Sequence, residues 1–300
     1  MGRFSEAWSS LVGTCRYSKW NTCGPREPVM PWISPSVPVC LARALKNIGA
    51  TMTVEAGDEI HSSVDKLIHQ SKRLDADKYI GLDNLIYVTK GIIARTPNKA
   101  RTAGARKDAL WITPPGRILG GGLDFFFCHP FSYINYAMVK SEIVICNKKL
   151  LMQILASDAP LNQTLQQQFE LCNLSNSITL EALSCLPVQE RLQLYLLSWA
   201  VYWGTRIVDD QSDKDEWIRI PTPLQRDDIS RVIGASRAAV DKSFTDWRQR
   251  GVMKLESPYL VFRGSLIRPM LPWLCVYDDI QLAYRHDLDL EDIMPAVSVA

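Results

Sequence analysis

Residues 223–251 constrain the fold more than any other stretch of this chain. Pro223 suits the first turn of a helix, where its missing N–H would have no partner anyway. Asp227 and Asp228 come next, where the positive end of the helix dipole favours acids. Ile229, Val232 and Ile233 supply a buried face. Gly234 then interrupts the pattern, as a tight turn requires. Ser236 is a good N-cap for a second helix, which buries Val240, Phe244 and Trp247 at i, i+4 and i+7. Gly251 ends it as a C-terminal cap. Two short helices joined by a glycine-containing turn are a helix-turn-helix.

The residues beyond Gly251 extend the motif. Residues 252–255 and 259–263 flank Glu256-Ser257-Pro258 and read as a β-hairpin, hence a wing. The second helix leaves Arg237, Ala238, Asp241, Lys242 and Thr245 on its outward face, next to the cap Ser236. A major groove admits an α-helix, and base edges there offer acceptors within reach of Arg and Lys. Arg248, Arg250 and Lys254 lie further along, where a helix approaches phosphates. The candidate DNA-binding residues are therefore Ser236, Arg237, Ala238, Asp241, Lys242, Thr245, Arg248 and Lys254.

Charge supports this locally and not globally. The net charge is only +2. Between Trp217 and Arg268, however, ten Lys/Arg face five acids, whereas residues 271–300 hold six acids and one Arg. A basic block thus precedes an acidic C-terminal tail.

The upstream chain divides into three parts. Residues 1–45 are punctuated by Pro25, Pro28, Pro31, Pro35 and Pro38 and read as an irregular arm. Residues 46–156 carry short β-branched and aromatic runs at 51–54, 85–89, 92–95, 109–113, 133–139 and 142–146, separated by Gly, Pro and Asp clusters. Such spacing predicts an antiparallel roll, followed by a short helical segment at 148–155. Residues 157–187 predict one long helix over 160–186. Leu161, Leu165, Phe169 and Cys172 form one apolar stripe; Leu171, Leu174, Ile178, Ala182 and Cys185 form another. A helix apolar on two faces must bury both. A second copy of the chain can cover the second face, as can another domain of the same chain. Residues 188–270 then hold the helix Val188–Trp203, a polar loop at 209–216 and the winged helix-turn-helix.

Other chemistries find little support. No apolar run is long enough to span a membrane, and no secretory signal precedes the first domain, so a cytoplasmic protein is expected. The eight cysteines include no C-x2-C pair and the four histidines are scattered, which speaks against a zinc site. No catalytic triad or phosphate loop is present, and neither an enzyme nor a cofactor is expected.

The order β-roll, long helix, winged helix-turn-helix resembles the bacterial cyclic-AMP receptor/Fnr (Crp/Fnr) family of transcription regulators. Gly234, Ser236, Arg237 and Val240 match the family's recognition-helix pattern; Ala238 replaces its usual Glu, and Lys242 stands where Arg is common. Residues 85–91, ending in Gly91, and the turn Pro115-Gly116 followed by Gly120 resemble its β-roll. The resemblance implies an α+β fold: an N-terminal antiparallel β-roll of the cyclic-nucleotide-binding type, a dimerisation helix and a C-terminal winged helix-turn-helix. It implies double-stranded DNA as partner, a homodimer, and RNA polymerase as a further contact. The cyclic-nucleotide cassette departs from the pattern. Gly121-Gly122-Leu123-Asp124 lacks its Glu, Asn135-Tyr136-Ala137 stands where Arg-Ser-Ala would fall, and no Arg or Lys lies between Arg117 and Lys140. A regulator independent of cyclic nucleotides is expected. The alternative is a protein-interaction adaptor that keeps the architecture while its DNA helix has drifted.

Overall fold

A computed structural model describes residues 32, 37–57, 84–97, 110–119, 133–208, 216–221, 224–256, 259–277, 282–284, 294 and 296–298. The expectations for most of the N-terminal arm, the turn at Gly120, the cassette residues Gly121–Asp124, the loop at 209–215, Pro223 and Ser257-Pro258 lie outside these residues.

The first element corrects the reading of residues 1–45 as an irregular arm. Helix α1 (Val39–Ile48) begins directly after Pro38. Leu41, Ala44 and Leu45 are buried, and Trp32 and Val37 are buried ahead of them. Six of the next strands match the predicted runs, with β5 the addition: β1 (Ala50–Val54), β2 (Asn84–Lys90), β3 (Ile93–Pro97), β4 (Trp111–Thr113), β5 (Arg117–Ile118), β6 (Tyr133–Ala137) and β7 (Ser141–Asn147). They form two antiparallel sheets, ordered β1-β7-β2-β5 and β4-β3-β6. Val54, Val88, Ile93, Ala137 and Ile143 meet between them. Gly91 (φ 81°) and Gly116 (φ 80°) turn the chain in the left-handed region that side chains disfavour.

Three helices come next. α2 (Lys148–Ser157) is capped by Asn147, whose Oδ1 accepts from the Leu150 N–H at 3.1 Å. α3 (Ala159–Cys185) is the predicted long helix; Asp158 caps it, and Pro160 sits in its first turn. α4 (Val188–Trp203) buries Leu192, Leu194, Tyr195, Leu196, Leu197, Trp199 and Ala200. Two short strands, β8 (Thr205–Val208) and β9 (Trp217–Pro221), lead to the helix-turn-helix pair α5 (Arg226–Val232) and α6 (Arg237–Gln249). The wing is β10 (Met253–Glu256) and β11 (Tyr259–Arg263), paired in register Met253↔Phe262 to Glu256↔Tyr259.

The apolar stripes of α3 are covered largely within the chain. Leu161, Leu165 and Phe169 join α1, α2 and the roll in one cluster with Leu45, Leu151 and Leu155. Leu171, Leu174 and Ile178 meet Trp273, and Ala182 belongs to the core of the winged domain. The helix is therefore wedged between two domains of one chain. Leu180, 66% exposed, is its large apolar side chain left outward.

The domains also share a core. The β4-β3-β6 sheet is covered on both sides. Ile93 and Ala137 point into the roll, whereas Ala94, Ile112 and Tyr136 pack with Leu196, Trp199 and the winged domain. Arg117, only 4% exposed, lies 4.2 Å from the Tyr202 ring and 6.0 Å from that of Trp203 on α4. Its cation is held in this interdomain seam by aromatic faces.

The segment 271–300 is not an acidic tail outside the fold. Leu271, Leu274 and Met294 are buried in the main core. The segment Arg268–Trp273 forms a 3-10 helix, and β12 (Cys275–Tyr277) pairs with β13 (Leu282–Tyr284). β14 (Ala296–Ser298) adds to the edge of β8 in parallel, which extends the wing sheet to β10-β11-β9-β8-β14. Arg206 fixes this junction: it bonds Glu216 at 2.8 Å and the Met294 carbonyl at 3.2 Å. Among the described residues, no helix is long and apolar enough to cross a membrane.

Candidate nucleic-acid interface

The two helices of the motif are set by local signals. Gln225 and Asp228 form a reciprocal capping box at the start of α5. Gly234 takes φ 61° and lets the chain reverse. Arg191 of α4 pins that turn: its Nη1 donates to the carbonyls of Ile233 at 2.8 Å and Gly234 at 3.3 Å. The end of α5 thus receives a charged donor from outside the motif. Burial pushes the Arg191 guanidinium pKa down. Ser236 caps α6, its Oγ accepting from the Ala239 N–H at 3.2 Å. Gly251, at φ 71°, closes α6, while the Val252 N–H donates to the Trp247 carbonyl at 3.0 Å.

The faces of α6 separate as the periodicity predicts. Val240, Phe244 and Trp247 are 0–3% exposed and join α4 and the wing in the core. Ser236, Arg237, Ala238, Lys242, Thr245 and Arg248 are exposed along one side. Lys254 is exposed on β10, just beyond the helix. The structure brings all these predicted residues onto one helix face and the adjoining strand.

Asp241 is a different matter. The sequence placed it among groups offered outward, but its carboxylate is engaged by two arginines. Arg226 Nη1 donates to Oδ1 at 2.7 Å, and Arg237 Nε stands 3.6 Å from Oδ2. The Arg226 hydrogen bond, followed by the charges of both arginines, holds the Asp241 carboxyl below the usual carboxylate range. Arg226 also lies 5.3 Å from the Phe244 ring. Asp241 therefore orients Arg237 and ties α5 to α6. Arg226 was missed as a site residue because periodicity assigns a face, not a partner on the neighbouring helix.

Lys254 is not isolated either. Its Nζ is 3.0 Å from Glu256 and 4.6 Å from the Trp217 ring. The motif is anchored to the roll as well: Arg231 Nη1 donates to the Tyr136 hydroxyl at 3.4 Å. No Arg or Lys lies between Arg117 and Lys140, but a cation from another strand stands beside Asn135. Arg95 of β3 lies opposite Asn135, and its Nε donates to Asn135 Oδ1 at 2.9 Å. A neighbouring strand supplies the guanidinium that the local sequence lacks.

Cys40, Cys146, Cys172 and Cys185 are free thiols. Burial pushes the Cys146 thiol up to about 12, and its Sγ donates to the Leu45 carbonyl at 3.3 Å. His61, His69, His129, His286, Cys15, Cys23 and Cys128 lie outside the described residues.

A β-roll, a long helix and a winged helix-turn-helix in one chain define the fold of the Crp/Fnr regulators. No protein-family model and no curated protein matches the sequence. Solved structures do match. The chain is similar to FixK2 from Bradyrhizobium japonicum at 12% identity, covering 72% of this chain and 92% of that one, with a TM-score of 0.53. It is similar to CprK in complex with OCPA at 12% identity, covering 81% and 97%, with a TM-score of 0.53. It is also similar to a cyclic nucleotide-binding domain containing protein from Listeria monocytogenes at 15% identity, covering 75% and 96%, with a TM-score of 0.52. At these identities the likeness establishes the fold.

Proposed function

We propose that this protein is a sequence-specific, double-stranded-DNA-binding transcription regulator of the Crp/Fnr type. The observation that carries the reading is the geometry of α6. Its apolar triplet is sunk into the core while Arg237, Lys242, Thr245 and Arg248 stand exposed in a row that a major groove can accept. Arg237 is the base-reading residue, oriented by Asp241; Lys242 reads alongside it, and Arg248 and Lys254 meet phosphates. The active form is a cytoplasmic homodimer, because a two-fold pair of recognition helices matches a palindromic site. The outward face of α3 around Leu180 is its seam, and contact with RNA polymerase belongs to the same role.

The regulator works without a cyclic nucleotide. Asn135 stands where the family carries its phosphate-binding arginine, and Gly121-Gly122-Leu123-Asp124 lacks the cassette's Glu, so neither of the groups that would hold the phosphate and ribose in the family is in its place. Calorimetry should register no micromolar heat with cyclic AMP. Gel-shift titration of the full chain against genomic fragments tests DNA binding itself: a subset of fragments should shift at nanomolar protein. Uniform failure to shift would turn the reading toward a protein-binding adaptor.

A further inference from the structure

Both ends of the chain meet on the last turns of α3. Trp32, ahead of α1, donates its backbone N–H to Thr179 Oγ1 at 2.8 Å, and that hydroxyl donates in turn to the Ser175 carbonyl at 2.8 Å. Trp273, beyond the wing, packs on the adjoining Ile178. Trp32 is 4% exposed and belongs to the core that joins Ala94 and Ile112 of the roll to Ala182 of α3 and Trp199 of α4. Val37 lies in the roll's own cluster, and its N–H donates to the Gly116 carbonyl at 2.7 Å. The residue after Gly116 is Arg117, stacked on Tyr202 of α4. Trp32 and Val37 are thus fastened on the two sides of the interdomain seam. Two features of Trp32 oppose its seat. It holds φ 63°, alone among the described residues other than glycine, in a region that a bulky side chain disfavours. Its indole Nε1 is buried with no hydrogen-bond partner among the described residues. Trp247 also buries an unpartnered Nε1, but within the regular helix α6. Burial of the ring and the bond to Thr179 hold Trp32 in place against both costs, so it is withdrawn more easily than an ordinary core tryptophan. Strain kept at a junction of two domains points to a part that moves.

We infer that Trp32 is a releasable bolt between the two domains: seated on α3, it fixes the winged domain against the roll in the arrangement that binds DNA, and unseated, it lets that arrangement go. The inference rests on the DNA-binding reading above and adds its regulation. α3 and α4 are joined by Leu186 and Pro187 alone, so the angle of the winged domain must be set by packing elsewhere. A palindromic site demands that angle, because two recognition helices must reach half-sites at a fixed spacing. In the seated arrangement Tyr136 of the roll receives Arg231 of α5, while Arg237, Lys242, Thr245 and Arg248 of α6 stand exposed. The seat therefore leaves the proposed reading face free, whereas a contact that blocked DNA would cover it. For a regulator that works without a cyclic nucleotide, the fixing element is then part of its own chain.

Hydrogen exchange read by mass spectrometry, together with fluorescence anisotropy on a duplex that shifts in the genomic titration, tests this. Full-length wild type, Trp32→Ala and Thr179→Val are compared, with circular dichroism to check that each is folded. In Trp32→Ala, amides of β3, β4 and the first turns of α4 should exchange faster, while those of β1 and β7 in the other sheet keep the wild-type rate. If the DNA-binding arrangement falls to about a tenth of the population, affinity for the specific duplex drops about tenfold. Affinity for random duplex, which rests on the phosphate contacts of each winged domain, should stay at the wild-type level. Thr179→Val, nearly equal in shape, removes the acceptor beneath Trp32 and should move both readouts the same way by a smaller factor. It decides the matter where Trp32→Ala does not fold. Unchanged exchange at the seam, faster exchange throughout the chain, or a loosened seam with unchanged affinity for the specific duplex would each overturn the inference while leaving DNA binding intact. Failure of wild type to bind any duplex would overturn the functional reading and this one with it.

Discussion

Replacing Gly234 by alanine probes the turn on which the whole motif depends. Gly234 has φ 61°, and an L-residue there costs about 1–2 kcal/mol. Loss of unfolded-chain freedom returns about 0.4–1 kcal/mol of that. The new Cβ would stand 3.1 Å from Leu183 Cδ2, the flexible end of a side chain that can shift by a few tenths of an ångström. It would also stand 3.4 Å from Arg191 Nη1, which donates at 2.8 Å to the Ile233 carbonyl. If Arg191 holds, the net loss is roughly 1 kcal/mol; if it is displaced, a charged hydrogen bond worth about 1.5–3 kcal/mol goes too. Urea unfolding followed by tryptophan fluorescence reports on this directly, because Trp199 and Trp247 are 2% and 0% exposed in the same core. The alanine variant should lose about 1–4 kcal/mol, the lower end if Arg191 holds, and Gly234→Asn should lose less, since Asn tolerates the left-handed region. Stability within about 0.5 kcal/mol of wild type for both would refute the claim that this turn needs glycine.

Four further outcomes are expected. Arg117→Met removes a buried cation from the Tyr202 and Trp203 rings and should cost roughly 2 kcal/mol, read as a lower midpoint in urea. Asp241→Asn should raise affinity for random duplex and narrow the gap to the specific site, because Arg237 loses the carboxylate that aligns it. Its folded-state pKa is depressed, so the pairing stabilises above the unfolded value and is lost as pH falls through the folded one; binding measured from pH 6 to 8 should show no step from this group. Peptide mapping after alkylation at pH 8 should find Cys185 modified rapidly and Cys146 protected until unfolding, as one is exposed and the other has its thiol pushed up to about 12. Leu180→Glu should weaken self-association in sedimentation without loss of stability, whereas Leu165→Asp should unfold the chain, because Leu165 is 1% exposed within the roll cluster.

That last contrast marks where sequence reading stops. Periodicity correctly made Leu165 and Phe169 buried, but it could not say which surface buries them. The covering surface is this chain's own roll, α1 and α2, so neither residue lies on a dimer seam. The six predicted roll strands and the helix Val188–Trp203 were legible because β-branched runs, helical spacing and Gly or Pro punctuation are local signals. Helix α6 was legible for the same reason, down to the Ser236 cap and the Gly251 stop. α1 was not recognised, although Leu41, Ala44, Leu45 and Ile48 carry the spacing, because the prolines before it signalled an arm that ends at Pro38. The C-terminal segment was hidden by its charge. Its acids suggested a tail, whereas its place in the core depends on Leu271, Leu274, Met294 and a parallel pairing with β8 from about ninety residues away, for which no local pattern exists. The Arg226–Asp241 and Arg95–Asn135 pairs are likewise tertiary facts.

Selection of bound duplexes from a random oligonucleotide pool by the full-length protein tests the central claim most directly. A dimer presenting two α6 helices should enrich an inverted repeat with half-site centres about one helical turn apart, or a multiple of it. Each half-site should keep one G·C pair for Arg237, with a thymine methyl favoured opposite Ala238 and a looser position opposite Lys242. Repeating the selection with Arg237→Ala should relax that G·C pair at a cost of roughly 1–3 kcal/mol in binding. No enrichment, or a motif without two-fold symmetry that Arg237→Ala leaves unchanged, would contradict the account.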